Sequence, residues 1–350
     1  MAVLGSKRAI GAIAVAVLLC VATSQAASTS SSQTYQLTIG GGSVDSAAFR
    51  WSSALAETLS RPPGLPDCDP VAPCGVPGVV AGAQTYDDGK SLLAALADAK
   101  IATAVMPVLS LVRDRCDAAK GQKASQVSTL KILYRQPLYL VVHGGAAPNA
   151  HPAEWVGKTL ATGLPGTDSE TVTLGLLDAY RVPRSKVKLL RLPPAGIVTA
   201  LRDGTAAVGF LLGHVFDAPV GTLVNHGFTL MSLPDSAERT HLLQAIPALE
   251  PSAIPPGTYP GIPATSIVAQ PVAWVAGPGL DPDLAEKLVT AISEVHNQAR
   301  IAEMVDSATP VPDGEAFQRL PVPLADGAKA VALSKHLPFG IIDCAVATKR

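Results

Sequence analysis

Gly157-Lys158-Thr159 reproduces the last three residues of a phosphate-binding loop. That loop also needs a glycine five residues before Gly157, so that backbone N–H groups can close around phosphate; Pro152 holds the position and excludes the motif. Neither a G-x-S-x-G nucleophile elbow nor an H-E-x-x-H zinc motif occurs. His143, His151, His214 and His226 are scattered, nothing pairs them with a nucleophile, and there is no CxxC. An enzyme is therefore not expected, and neither a metal nor a cofactor is implied. What remains are turns suited to binding: Gly40–Ser46, and Gly166-Thr167-Asp168-Ser169. Each precedes a helical pattern. A helix N-terminus there exposes unpaired N–H groups and a partial positive charge, which suit a carboxylate, and the hydroxyls add donors. Plain N-capping by Ser, Thr and Asp fits the same residues.

The elements that must hold these turns alternate between strand and helix. Tyr35–Ile39 alternates in polarity and runs into Gly40-Gly41-Gly42, and Ala47–Leu59 carries Ala54, Leu55 and Leu59 at helical spacing. Val79–Ala83 reads as a strand, Ser91–Ala99 as a helix and Ile101–Leu109 as a buried strand. Lys131–Val142 reads as a long strand or strand pair. Then come a helix over Ser169–Tyr180, a strand over Val187–Leu192, a short helix over Ile197–Arg202, a strand over Ala206–Leu212 and an amphipathic helix over Asp283–Val295. The alternation predicts an α/β architecture with parallel sheets. Trp51, Trp155 and Trp274 are expected in the core or at a hinge.

Residues 1–26 read as a cleaved signal peptide: Lys7 and Arg8, an apolar run over Ala9–Val21, then Ser24-Gln25-Ala26. The run is shorter than the roughly 18–20 residues that span a bilayer. Leu18-Leu19 before Cys20 makes a poor lipidation signal. Residues 27–33 are expected to be a flexible tether. A periplasmic location follows as an expectation. Hydrophobic residues make up 48%, enough for a large core. Losing Lys7 and Arg8 takes the formal charge from −1 to about −3. No basic stripe exists, so nucleic acid is not an expected partner. Four cysteines follow the leader: Cys68, Cys74, Cys116 and Cys344. In an oxidising compartment an even count favours disulfides. Cys68 with Cys74 is the easiest pair to form, which would leave Cys116 with Cys344, but three pairings stay open.

Pro255-Pro256-Gly257-Thr258-Tyr259-Pro260-Gly261 resembles the P-x-G-T-Y-P-G signature of the TAXI family, the solute-binding proteins of TRAP transporters. Five further segments occur in that family's order. Leu37–Gly40 resembles its first strand and glycine turn, and Tyr134–Val142 its Y-x-x-P-L-x-x-V-V crossing strand. Val156–Thr159 with Gly163–Thr171 resembles its G-K-x-V-x-x-G-x-x-G-S-G-T-E segment. Ala200–Gly204 resembles A-L-x-D-G, and Leu320–Leu324 resembles L-P-[IV]-P-L. The resemblance covers roughly residues 34–335 and implies a two-lobed periplasmic-binding-protein fold, type II-like, with a hinge and an inter-lobe ligand cleft. It implies lobe 1 over residues 34–142 plus 262–350 and lobe 2 over residues 143–261, with hinge motion near Val142–Gly144 and Pro251–Thr265. It further implies a monomer that delivers a small-molecule carboxylate (an amino acid, 2-oxo acid or other organic acid) to TRAP-type membrane subunits. The alternative is a ligand-binding sensor or accessory module of the same fold without a transport role.

Ligand contacts are expected at Gly42, Ser43, Phe49, Met106, His143, Gly166, Thr167, Ser169 and His214. Several depart from the family's pattern. Its G-T-G-G-T-G-G-V-Y-Y loop stands here as Gly40–Phe49, with the aromatic pair reduced to Ala48-Phe49 and a negative charge at Asp45. Its Q-S-D falls at Met106-Pro107-Val108, without polar handles, and an arginine after the crossing strand appears as His143. These changes suggest a less polar or smaller ligand than glutamate or 2-oxoglutarate. Arg50 can restore a cation for a carboxylate, or lie on a solvated helix face.

Overall fold

The computed structural model describes residues 34–69, 71–118, 125–145, 151–305 and 310–344. The expected signal peptide and tether lie outside the described residues. In chain order come β1 (Tyr35–Gly41), α1 (Ala47–Leu59), the short strands β2 (Ser60–Arg61) and β3 (Val76–Pro77), β4 (Val79–Thr85), α2 (Gly89–Ala97), β5 (Thr103–Pro107), α3 (Val108–Ala118) and the long β6 (Ser128–His143). There follow β7 (Thr159–Thr162), α4 (Asp168–Ala179), β8 (Lys188–Arg191), α5 (Pro194–Arg202), β9 (Val208–Leu212), α6 (Ala218–Asn225), β10 (Phe228–Leu230), α7 (Ala237–Ala245), β11 (Glu250–Ile254), the long β12 (Thr265–Ala276), α8 (Pro282–Ile292), α9 (Val295–Met304) and α10 (Asp326–Ser334).

The main sheet runs β4-β1-β5-β12-β6-β9-β7-β8, with β11 added on β12 and β10 on β6. Each flank is parallel: β4, β1 and β5 on one side, and β9, β7 and β8 on the other. The expectation of parallel sheets holds within the flanks but not at the centre. There β12 and β6 run antiparallel to each other and to their outer neighbours. One long strand carries the chain out of the first flank and the other brings it back, so they point in opposite directions. β6 pairs with β12 as far as Pro137 and with β9 from Leu138 onward.

Local sequence explains these elements. Ser46 caps α1 by accepting from the Phe49 N–H at 3.1 Å, an arrangement worth about 1 kcal/mol. Trp51, Leu55 and Leu59, four residues apart, bury one face of α1 against the sheet, and Trp51 stacks on Tyr134 of β6 with ring centroids 4.9 Å apart. Trp155 and Trp274 are buried as well. The expected strand over Ile101–Leu109 stops at Pro107, and α3 starts at Val108. Val108, Leu111, Val112 and Cys116 recur at helical spacing and are buried, a period hidden in sequence by the apolar run before it. The expected helix over Asp283–Val295 divides at Ser293-Glu294 into α8 and α9. Disulfides join Cys68 to Cys74, and Cys116 of α3 to Cys344 in the C-terminal tail.

Candidate functional site

In parallel flanks, ligands sit beyond the carboxyl ends of the strands. Four of the turns that leave such ends lie toward the centre of the sheet: β1 to α1, β5 to α3, β7 to α4, and β9 to α6. They meet in pairs across the centre of the sheet. A Cβ on Gly41 would come within 2.7 Å of the Phe49 Cα and 2.8 Å of the Ser52 Oγ. Only glycine lets the end of β1 lie this close to α1.

The first pair joins α1 to the turn after β9. The Arg50 guanidinium contacts His214 Nε2. A guanidinium only donates, so Nε2 accepts and the ring proton sits on Nδ1, which faces the Asp217 carboxylate at 3.5 Å. The backbone of His214 is held from below. Its carbonyl accepts from the Tyr139 hydroxyl at 2.8 Å, and the Tyr259 hydroxyl donates to that of Tyr139 at 3.2 Å. Burial raises both phenols, that of Tyr259 to about 12, so each stays a proton donor. Phe216, in the same turn, has φ +67° and is half exposed at the rim. A non-glycine residue in that region stores roughly 1–2 kcal/mol of strain, a pattern found at ligand-binding turns.

The second pair joins α3 to the N-terminus of α4. Ser110 Oγ donates to both Asp168 carboxylate oxygens at 3.4 and 3.3 Å, and Arg113 lies 3.3 Å from Oδ1. Arg113 also donates to the Thr171 hydroxyl. Burial pushes the Asp168 carboxyl up, and Arg113, Ser110 and Gln270 only partly offset it. Beneath both pairs the crossing strands form a floor, where Gln270 of β12 donates to Gln136 of β6 at 2.8 Å. Pro137 and Pro271 follow these glutamines and lie beside them in the pairing register.

A concavity of about 300 Å³ borders Arg113 and Thr171, walled by Val112, Leu174 and Ile246. A larger one, about 680 Å³, is lined by Arg135, Glu250 and Arg319. Successive strand residues face opposite ways, so Arg135 lies on the far side of the sheet from Gln136. There it pairs with Glu250 and, at 2.6 Å, with Glu315. The smaller cavity lies among α3, α4 and α7 and the larger on the far face, so neither is lined by the turns that follow β1, β7 and β9.

The expected site residues fall into three groups. Gly42, Ser43 and Phe49 lie on the first turn and at the start of α1, next to Arg50 in the chain. Gly166, Thr167 and Ser169 form the turn into α4: Gly166 has φ +81°, Thr167 caps the helix through the Glu170 N–H at 3.3 Å, and Ser169 Oγ donates to the Phe210 carbonyl at 3.2 Å. These hydroxyls hold the turn together, while His214, in the turn after β9, meets Arg50 of α1. The other two stand apart. Met106 is fully buried in β5 opposite Ala273. His143 ends β6 past the Val142–Val208 pair, beside the amino end of β9, with its ring 5.5 Å from that of Phe228. The sequence reading overlooked Ser110, Arg113, Gln136, Gln270 and the Tyr139–Tyr259 pair. One signal was available for the floor: both crossing strands carry a Gln-Pro dipeptide, Gln136-Pro137 and Gln270-Pro271.

Two parallel flanks joined by two antiparallel crossing strands, with the strand-end turns converging, define the fold of two-lobed periplasmic solute-binding proteins. The chain matches the model of the NMT1-like family over residues 92–331 and belongs to that family. No curated protein matches it. Among solved structures it is similar to a TctC solute binding protein from Polaromonas, without ligand, at 13% identity over 88% of this chain and 96% of that one, with a TM-score of 0.51. It is also similar to the periplasmic aliphatic sulphonate binding protein SsuA from Escherichia coli, at 13% identity over 87% and 84% and a TM-score of 0.46. XAC2383 from Xanthomonas citri, bound to chloride ion, aligns at 13% identity over 86% and 99%, with a TM-score of 0.49. Among the described residues no helix is long and apolar enough to cross a membrane.

Proposed function

We propose that this chain is an extracytoplasmic solute-binding protein that holds a small organic acid between the two flanks of its sheet and presents it to a TRAP-type membrane transporter. The observation that carries this reading is the contact between Arg50 and His214, which sets a guanidinium where the first and second flanks face each other. A guanidinium at that place suits one carboxylate, which it can bind through two parallel N–H groups. The capped N-termini of α1 and α4 add positive potential from either side. The flanks are lobes, and the hinge lies at Gln136-Pro137 and Gln270-Pro271. That is earlier in β6 than the 142/143 boundary read from sequence, and later in β12 than the 261/262 boundary. Closure by hinge motion makes the loaded form distinct from the empty one, which a transporter must discriminate. A periplasmic location after cleavage of residues 1–26, and a monomeric state, belong to the same reading.

A thermal-shift screen of residues 27–350 tests it, using amino acids, 2-oxo acids, dicarboxylates and short monocarboxylates. A solute at a hundred times its dissociation constant adds about 2.7 kcal/mol of stability. A carboxylate that raises the melting temperature saturably is the expected outcome. No response to any carboxylate would remove the organic-acid reading. The alternative, a sensor or accessory module, is motivated by the cleft residues that depart from the family's pattern, Met106-Pro107-Val108 among them. A solute response in a chain that binds no transporter subunits would select it.

A further inference from the structure

Asp168 is an unusual residue to find at this position in the cleft. It is the first residue of α4, after the Thr167 cap, and its side chain crosses to the opposite flank. There Ser110 and Arg113 present donors to it. Ser110 Oγ reaches both carboxylate oxygens, the Arg113 guanidinium reaches Oδ1, and the Gln270 amide rises from the floor. Gln270 is almost wholly buried, and its Oε1 has no hydrogen-bond partner. A hydroxyl and a guanidinium from α3 and a buried amide from the crossing strand β12 form a receptor for a carboxylate. The carboxylate that fills it belongs to the chain.

We propose that Asp168 is a specificity-determining residue: its side chain permanently occupies the carboxylate subsite made by Ser110, Arg113 and Gln270, so the cleft accepts solutes with one anionic group and rejects those with two. The inference rests on the cleft reading above but not on which solute fills it. The charge on Arg113 is matched within the protein, and the Arg50 side of the cleft is where a solute's single carboxylate goes. A second carboxylate directed at Arg113 would have to displace Asp168 and leave that buried acid beside its own charge, which like-charge repulsion and desolvation both oppose. Selection thus works by a built-in repulsive element as well as by attraction.

The test uses the chain over residues 27–350 and sodium formate as a probe, against sodium chloride at matched ionic strength. Asp168→Ala vacates the subsite. It is expected to gain a saturable formate-dependent rise in melting temperature that is absent from Asp168→Ala/Arg113→Gln. In the wild-type protein, any formate response is expected to be the same with and without Arg113→Gln, because that subsite is filled. Should Asp168→Ala not fold, Asp168→Ser carries the same comparison while keeping a polar first turn on α4. Asp168→Asn, which keeps the subsite filled, is expected to gain nothing. The proposal is overturned by an Arg113-dependent formate response in the wild type, or by no gain in the vacated variant. It is also overturned by a gain that persists without Arg113. A cleft that binds no natural organic acid would sink the proposed function yet leave the formate comparison readable.

Discussion

The signature turn Pro255–Gly261 acts on the cleft through one aromatic chain, and Tyr139→Phe breaks that chain at its centre. Tyr139 is fully buried, donates to the carbonyl of His214 at 2.8 Å, and accepts from Tyr259 at 3.2 Å. Deleting its hydroxyl leaves the Tyr259 phenol without its acceptor and the His214 carbonyl with only the Asp217 N–H at 3.1 Å, a loss of about 1–3 kcal/mol. For a chain of this size that is a fall of about 1.5–4 °C in melting temperature. Tyr259→Phe removes only the outer donor and should cost about 0.5–1.5 kcal/mol. The double variant is the sharper case. With Tyr139 already lacking its oxygen, Tyr259→Phe removes an orphaned group, so the double variant should be no less stable than Tyr139→Phe alone. Urea melts at unchanged m-value read all three. His214 loses its anchor in Tyr139→Phe, and solute affinity should fall about five- to tenfold, near 1 kcal/mol or slightly more. Simple addition of the two single losses would refute the chain. Full stability in Tyr139→Phe would show that the hydroxyl does not hold His214.

Three other outcomes follow from the structure. Asp168 is raised on folding, so the folded chain holds its proton more tightly than the unfolded one. Its contribution is present below the usual carboxylate range and is lost as pH rises through the folded value. Asp168→Asn should therefore flatten the dependence of the urea midpoint on pH above about 4 and be no less stable at neutral pH; an unchanged slope would contradict this. Lys131 is buried in β6 and pairs with Asp313 at 2.5 Å; burial lowers the lysine, while for Asp313 the lysine's hydrogen bond and charge outweigh burial and the net shift is downward. Lys131→Met should cost about 3 kcal/mol by stranding Asp313, and Lys131→Met/Asp313→Asn should recover part of it. The loop closed by Cys116–Cys344 has a sequence separation of 228 and that of Cys68–Cys74 a separation of 6, so chain entropy ranks their loss at about 5 against about 2 kcal/mol. Cys116→Ser/Cys344→Ser should lower the melting temperature more than Cys68→Ser/Cys74→Ser; the reverse order would point to strain or residual structure as the larger influence.

Much of the fold was legible because local periodicity and tertiary burial agree. Ala47–Leu59 and the long strand over Lys131–Val142 were readable from spacing alone, and the capping residues Ser46 and Thr167 stand where the sequence suggests. The antiparallel centre was not legible, since nothing in β6 or β12 alone states which neighbour each strand will take. Val108 reads as strand in the sequence because an apolar run looks alike in both periods, and only the shared face of Leu111, Val112 and Cys116 shows the helix. The candidate site was legible at its turns and hidden at its side chains. Arg50 and His214 are 164 residues apart, and Ser110 and Asp168 are 58 apart, so no local pattern joins them. Tyr259 was visible as part of a signature, but its role as the support beneath His214 exists only in the folded chain.

Titration calorimetry of the wild type and of Arg50→Met, with the carboxylate that gives the strongest thermal shift, tests the proposed cleft most directly. Loss of a charge-assisted hydrogen bond removes about 1.5–3 kcal/mol. The dissociation constant should therefore rise at least about tenfold in Arg50→Met, with the binding stoichiometry unchanged. Equal affinity in the two proteins would place the solute away from the strand-end turns and contradict the site.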